Sequence, residues 1–486
     1  MDKARMQTDL QAAVDEIRHR LGDPADLRID RPGPDKLLIY LDGLVDRTRL
    51  SQLAEALADS DGRLQAELAE TDRETSDLEQ VLEELARGSA LLLRREQGQG
   101  LHCAAISVPG WQQRAIEEPG SEQLIRGPRE GFTETIAVNT AMIRRWINDP
   151  QLRVDELRVG RRTKTAVRLL YLNDVAAPKL VREVRRRLRA VVLDGVLESG
   201  YLEQLIADNR VTVFPLIQST ERSDKVAAAI LEGRLAILVD KSPFALIVPT
   251  TINELYQSPE DYYFNFYLGS FLRFFRLLGN NLAVAFSGLY VALSSGNPEL
   301  LPTSFALSIS ASRQGIPYPI SIEVLLLEIM VEIFREAGLR LPKNVNQTLG
   351  VVAGIGLALA AVQTHLVSGS SLVVVAIGAI ASFSSPSFAV SIPWRIFKFL
   401  LILGAALLGI VGLTLTGIMI LAHAATLTSF GSSYLAPWAP LQPRELGDAV
   451  IRGPFWLRFK RPRTYHPQEQ QRMGNTRARD EDEDED

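Results

Sequence analysis

The sequence IPYPISIEVLLLEIMVEIFREAGLRLP occupies residues 316–342 and predicts an apolar helix that carries four glutamates. A helix places Glu328, Glu332 and Glu336 on one face, because they are spaced i, i+4 and i+8. Glu323 lies well round the helix from that face. A carboxylate that faces lipid costs about 2.5–3.5 kcal/mol. Since apolar segments flank this stretch, we expect its glutamates to face a bundle interior or a water-filled path.

A second interpretation places the same helix at the membrane surface. An amphipathic helix there would hold its glutamates in ion pairs with nearby cations, and Arg335, Arg340 and Lys343 are suitably spaced for this. The sequence leaves both interpretations open.

Charge is distributed unevenly along the 486 residues, a length that predicts more than one domain. The first 250 residues are rich in charge, whereas most apolar runs lie between residues 277 and 421. The net charge of −5 arises largely from the acidic run DEDEDED at residues 480–486, so no basic surface indicates a nucleic-acid partner. Cys103 is the single cysteine, which excludes an internal disulfide and a cysteine-based metal site. The N-terminus lacks the apolar core of a signal peptide, so we expect a cytoplasmic N-terminal half.

The N-terminal half contains two similar strand–helix segments. KLLIYLDGLVD (residues 36–46) precedes a helical pattern at 47–58, and VRLLYLNDVAAPKLVREVRRRL (residues 167–188) repeats this design. Further along, a helix is expected at Ser223–Leu231, ended by Gly233 and followed by two apolar strands. The fold class predicted is α/β (α+β): a cytoplasmic N-terminal region of two strand–helix subdomains, followed by an α-helical, multi-span membrane domain.

An arginine-rich segment joins the two strand–helix units, and a helix is expected to begin there near Thr133. Its arginines are suited either to anion binding or to ion pairs between subdomains or subunits, and we favour ion pairs. The arginines concerned are Arg126, Arg129, Arg144 and Arg145. The candidates for assembly contacts are Glu117, Glu118, Arg126 and Arg129.

Five apolar segments are candidates for membrane crossings. They are residues 277–293, the glutamate helix at 316–342, and residues 348–367, 370–392 and 396–421. Four cationic groups should be cytoplasmic: Arg273 with Arg276, the cations after the glutamate helix, Arg395 with Lys398, and residues 452–463. Five crossings would place the C-terminus outside. Four or six crossings result if residues 370–392 do not cross or if residues 425–440 also enter the membrane.

These features predict four regions. Residues 1–115 form an N-terminal cytoplasmic subdomain, 116–250 a second cytoplasmic subdomain, and 251–440 a helical membrane domain. Residues 441–486 form a cytoplasmic basic segment and, after Tyr465, a disordered tail that ends in the acidic run.

Motifs of common enzyme classes are absent from the sequence. It contains no Walker A motif, no glycine-rich dinucleotide turn after a strand and no HExxH. The five histidines are scattered and do not form a metal-binding pattern. We therefore expect neither an enzyme nor a bound cofactor or metal.

Several long motifs, in the same order, resemble those of the GerA family, the A subunits of spore germinant receptors. They include EEPGSEQLIRGPREGFTET (residues 117–135), TERSDKVAAAILEGR (220–234), SPEDYY (258–263) and SFGSSYLAPWAP (429–440). The resemblance implies a multi-pass protein of the spore inner membrane with a cytoplasmic N-terminus. It also implies a homo-oligomer in contact with lipid, a nutrient-binding B subunit and a lipoprotein C subunit. The stage V sporulation AF paralogues share this pattern.

The function implied by the resemblance is that of a nutrient-gated cation channel or its signalling core. If one copy of the glutamate helix per subunit surrounds an axis, Glu323, Glu328, Glu332 and Glu336 are candidates to line the pore. A permease or transporter subunit is the alternative, although the inverted membrane repeats common in transporters are not visible. A scaffold without a pore is a third hypothesis.

Overall fold

The N-terminal half of the computed structural model contains two antiparallel sheets, and the C-terminal half is mainly helical. The structure describes residues 10–472 apart from 34, 59–72, 75–77, 97–99, 109, 111–118, 121, 123, 341–353, 355 and 458.

The first sheet and its helices form one α/β unit. Its elements are α1 Leu10–Leu21, β1 Leu27–Gly33, β2 Lys36–Leu41, α2 Arg47–Ala58, β3 Arg73–Glu74, α3 Leu78–Ala86, β4 Ser89–Glu96 and β5 Gly100–Ser107. The strand order is β1-β2-β4-β5-β3. Side chains of α1 and α3 cover one face of the sheet, and α2 covers the other.

The second unit repeats this plan. Its elements are α4 Ile136–Trp146, β6 Leu152–Val159, β7 Thr165–Leu172, α5 Pro178–Ala190, α6 Ser199–Ile206, β8 Gln218–Thr220, α7 Ser223–Leu231, β9 Leu235–Val239 and β10 Ala245–Val248. The strand order β6-β7-β9-β10-β8 matches that of the first sheet strand for strand. β9 and β10 are buried along their whole length because α4 and α7 cover one face and α5 and α6 the other. The prediction of an α/β N-terminal region is confirmed.

A buried ion pair joins the two α/β units. Arg144 on α4 of the second unit contacts Asp26 of the first, with 2.9 Å between Nη2 and Oδ1 and a second hydrogen bond from Nε. The amide of Ala25 also donates to the carbonyl of Val154 at 3.0 Å. Arg144 therefore has the interdomain role that the sequence favoured over anion binding. Helix α4 begins at Ile136, three residues after Thr133, and the backbone amide and hydroxyl of Thr133 donate to the Asn139 side chain.

The helical half follows through short linking helices. Its elements are α8 Ile252–Tyr256, α9 Glu260–Tyr263, α10 Phe266–Val291 with a π-helical turn at Ala292–Gly296, α11 Thr303–Ser312, α12 Ile320–Arg340, α13 at residues 356–363, α14 Gly369–Ser382, α15 Phe388–Thr426 and α16 Pro443–Leu446. We call the end of the bundle nearest the α/β units proximal and the opposite end distal.

Helix α15 is a hairpin with its tip at Gly409. The backbone of Gly409 has φ 61°, a conformation that favours glycine, and a Cβ on Gly296 would lie 2.4 Å from the Gly409 Cα. Gly404 and Gly412 let the two arms approach closely, since a Cβ on Gly412 would lie 1.9 Å from the Gly404 carbonyl oxygen. The arms at 388–408 and 410–426 are about 31 and 25 Å long. Residues 396–421 therefore form parts of two antiparallel arms and not the single continuous helix that the sequence predicted.

The hairpin decides how the chain passes through the bundle. Among the described residues, α10, α13 and the first arm of α15 run distally, whereas α12, α14 and the second arm run proximally. These six described segments thus alternate in direction through the bundle, and the chain returns from residue 427 onwards to the α/β units. By length and composition, two described helices, Phe266–Gly296 and Ala389–Thr426, are long and apolar enough to cross a membrane, the second containing the Gly409 break. The number of membrane crossings stays a prediction.

The C-terminal segment contacts the second α/β unit. The backbone amide of Gln468 donates to the Val175 carbonyl at 2.8 Å, and its side chain donates to Asn173 and Ala176. Residues 466–472 are therefore ordered, against the expectation of disorder immediately after Tyr465. The acidic run at 480–486 and Lys343 lie outside the described residues.

Candidate functional site in the helical bundle

The glutamates of α12 form a series of ion pairs that runs from the distal to the proximal end of the bundle. Glu323, at the distal end, is 1% exposed. It accepts hydrogen bonds from the Ser368 hydroxyl at 2.6 Å and from Arg313 Nε at 3.3 Å. Ser368 is the N-cap of α14, so the Glu323 carboxylate also lies at a helix end that favours negative charge.

Glu328 lies at the centre of the bundle and is also 1% exposed. Its carboxylate accepts a hydrogen bond from Ser287 Oγ on α10 at 2.6 Å and contacts the buried ammonium of Lys398 on α15. This single carboxylate therefore connects three helices. Breaking a buried pair of this kind leaves an uncompensated charge, at about 3–5 kcal/mol.

The two remaining glutamates lie towards the proximal end. Glu332 is partly buried and accepts from Arg395 Nε at 2.9 Å, with Arg335 at 3.6 Å. The side chain of Glu336 is 60% exposed and pairs with Arg340 one turn later at 2.7 Å. The stripe predicted by the i, i+4 and i+8 spacing thus passes from the bundle interior to its surface, because α12 leaves the bundle near its end.

Both interpretations of the glutamate helix describe part of the structure. Glu323 and Glu328 face the bundle interior, as expected for carboxylates at membrane depth. Glu332 and Glu336 pair with Arg335 and Arg340, as expected for a surface helix. The sequence did not identify the partners Arg313, Arg395 and Lys398. A cation inside an apolar run, as in IFKFLL at residues 396–401, was the signal for one of them.

A second buried cluster anchors the start of α10. Asp261 and Arg273 are fully buried, and Arg276 donates to both oxygens of Asp261 at 3.0 Å. Arg273 also pairs with Asp448 of the C-terminal segment at 3.2 Å. Arg273 and Arg276, which the sequence suggested as topology markers, therefore hold the linking helix α9 and the C-terminal segment against α10.

The predicted assembly residues are only partly described. Arg126 and Arg129 are exposed, and the Arg126 guanidinium lies 6.0 Å from the centre of the Phe264 ring. Glu117 and Glu118 lie outside the described residues. Their role in assembly stays a prediction.

Comparison with known proteins assigns the family. The model of the Bacillus/Clostridium GerA spore germination protein family matches residues 15–464. The chain belongs to the GerA family. This confirms the resemblance that the sequence motifs indicated.

Individual GerA relatives match along most of the chain. Spore germination protein KA of Bacillus subtilis (strain 168) is 37% identical over 457 residues, which cover 90% of this chain and 82% of that protein. Spore germination protein B1 of the same organism is 35% identical over 480 residues, covering 96% and 99%. The crystal structure of the N-terminal domain of the A subunit of the Bacillus megaterium spore germinant receptor GerK3 is 29% identical, with a TM-score of 0.38. It covers 51% of this chain and 97% of that chain.

Proposed function

We propose that this chain is the A-type subunit of a spore germinant receptor, and that its oligomer forms a nutrient-gated cation channel or the signalling core of one. Membership of the GerA family supports a role in spore germination. The buried ion pairs of α12 support the channel, because ionisable groups within an apolar bundle typically mark ion pathways. The protein acts as a receptor component and not as an enzyme.

The outer surface of the bundle supports a membrane location. Four residues of α12 form an apolar stripe at helical spacing, and each is between 45% and 63% exposed: Ile322, Leu326, Ile329 and Ile333. Each arm of the α15 hairpin is close to the thickness of a hydrocarbon core, which is about 30 Å. We place the bundle in the spore inner membrane, with lipid or a neighbouring subunit against this stripe. The α/β units lie in the cytoplasm.

The ion pairs between α12 and α15 provide a means of closing the proposed cation path through the bundle. Lys398 neutralises Glu328, and Arg395 neutralises Glu332, so a cation gains little by entering while these pairs are formed. Movement of α15 away from α12 frees both carboxylates, which then attract cations and repel anions. Glu323 stays bound to the N-cap of α14, and Glu336 lies near the proximal mouth.

The partners follow from the A-subunit assignment. We propose that the chain assembles with further copies of itself, with a nutrient-binding B subunit and with a lipoprotein C subunit. Arg126 and Arg129, together with Glu117 and Glu118, are the proposed contacts.

The test measures monovalent cation flux through the purified receptor complex in liposomes after addition of nutrient. Glu328→Gln removes the central charge and should lower cation flux or selectivity several-fold. Glu16→Gln is the control, because it makes the same change at an exposed i, i+4 pair on α1, outside the bundle. The double variant Glu328→Gln with Lys398→Met removes both charges and guards against misassembly. Wild-type flux and selectivity in Glu328→Gln and in the double variant would refute a path along these carboxylates.

A further inference from the structure

A cavity of about 500 Å³ lies between the second α/β unit and the proximal end of the bundle. Helix α6 and the segment that follows it form one wall, and the start of α15 forms the other. Its apolar lining includes Val213, Phe214, Phe244 and Ile392. This volume is within the range of about 300–1,000 Å³ that is usual for small-molecule sites.

The carboxylate of Glu203 lines this cavity. Among the described residues it forms no hydrogen bond or ion pair. Glu122, the other carboxylate in the lining, accepts hydrogen bonds from Thr220 Oγ1 at 2.6 Å and from Lys225 Nζ at 3.0 Å. Burial, with a smaller contribution from Glu198, raises the pKa of Glu203 to about 7. A partly buried carboxylate without a cation is less favourable in its charged form than a carboxylate in water.

Among the described residues, no neighbouring cation pairs with the Glu203 carboxylate. Arg210 also lines the cavity, but its Nη2 donates to the Leu205 carbonyl at 2.9 Å. Glu198 accepts hydrogen bonds from Ser199, Gly200 and Ser242, which keeps it ionised near Glu203. The local field at Glu203 therefore favours a positive ligand.

We propose that this cavity binds a small organic cation, with its ammonium group on Glu203 and its apolar body against Phe214 and Ile392. An ammonium group provides a positive partner for the Glu203 carboxylate. The apolar walls favour a hydrocarbon or aromatic body over a hydrated metal ion. The site lies at the start of the α15 arm that carries Arg395 and Lys398. If the proposed channel is correct, an occupant here contacts the helix that closes it.

The test measures benzylamine binding to the full chain in lipid nanodiscs by ligand-observed NMR, with benzyl alcohol as the neutral probe of similar shape. Benzylamine should bind more tightly than benzyl alcohol. Its affinity should rise roughly tenfold from about pH 6 to about pH 8, because the ionised fraction of Glu203 rises from about one tenth to nine tenths. Benzyl alcohol should show no such increase.

Two variants separate charge from shape. Glu203→Gln should weaken benzylamine binding at about pH 8 by about tenfold or more and remove its pH dependence. Ile392→Trp should fill the cavity and weaken both probes. Glu16→Gln is the control, since it removes an exposed carboxylate on α1, outside the cavity.

Three results would overturn the site. They are equal binding of the two probes, unchanged benzylamine binding in Glu203→Gln, and displacement of both probes by lipid alone. The experiment needs neither nutrient nor ion flux, so its failure is distinct from failure of the proposed channel.

Discussion

The ion pair between Asp26 and Arg144 offers a direct test of how the two α/β units are held together. Asp26 is fully buried and Arg144 is 2% exposed. Asp26→Ala removes both hydrogen bonds and leaves the guanidinium buried without a carboxylate, which should lower the free energy of unfolding by about 3–5 kcal/mol. At about 2–4 °C per kcal/mol for a unit of this size, the melting temperature should fall by roughly 10 °C.

The assay is thermal unfolding of the full chain in detergent, monitored by calorimetry and by circular dichroism. Arg145→Ala is the matched control, because Arg145 is the next residue on α4 and pairs with Glu130 at 3.6 Å with a third of its side chain exposed. Its effect should be below about 1 kcal/mol. The double variant Asp26→Leu with Arg144→Met should melt close to the wild type, since apolar replacement of both partners is often neutral. If Asp26→Ala and Arg145→Ala lower the melting temperature equally, the buried pair does not hold the units together.

Two further predictions concern the hairpin and the cavity carboxylate. Gly409→Leu should reduce the yield of monodisperse protein in size-exclusion chromatography, because its Cβ would lie 2.3 Å from Asn297 Oδ1 at a positive φ. Gly417→Ala should leave this yield unchanged, because a Cβ on Gly417 would meet no atom within 4 Å. Equal yields of the two variants would contradict the tight hairpin at Gly409. The raised pKa of Glu203 means that the folded state holds its proton more tightly than the unfolded state. The contribution of Glu203 to the free energy of unfolding is therefore complete below about pH 4.5. It is lost, by up to about 3 kcal/mol, as the pH rises from there through about 7. Glu203→Gln should flatten that part of the stability–pH curve measured by urea unfolding, and an unchanged slope would contradict the pKa.

Local patterns in the sequence were sufficient for much of the α/β half. Helix α7 runs from Ser223 to Leu231 as predicted, because Gly233 adopts φ +91° and the apolar run after it can only be a buried strand. The similarity of the two strand–helix segments correctly indicated a repeated unit. The repeat also includes the order of all five strands in each described sheet. Short sequence segments do not reveal this order, because it depends on which strands pair in the folded protein.

The helical half was less predictable because its key features are tertiary. Hydropathy is continuous across residues 396–421, so it gives no sign of the break at Gly409. The signal was the spacing of Gly404, Gly409 and Gly412, which allows two arms to touch. The spacing of the glutamates predicted a shared face, but it contained no information about which cations of other helices would meet them. Lys398 reaches Glu328 only because the first arm of α15 packs beside α12.

The placement of Lys398 links the α/β units to the centre of the bundle through one helix. The Phe214 ring of the second unit lies 5.8 Å from the Trp394 ring and 4.9 Å from the Phe397 ring, measured between centroids. Trp394 and Lys398 are separated by little more than one helical turn, about 6 Å. A movement of Phe214 that shifts this part of α15 therefore also shifts the Lys398 ammonium relative to Glu328. The ring contact between Phe214 and Trp394 and the ion pair between Lys398 and Glu328 thus lie about one turn apart on the same helix, so a movement of this part of α15 displaces both.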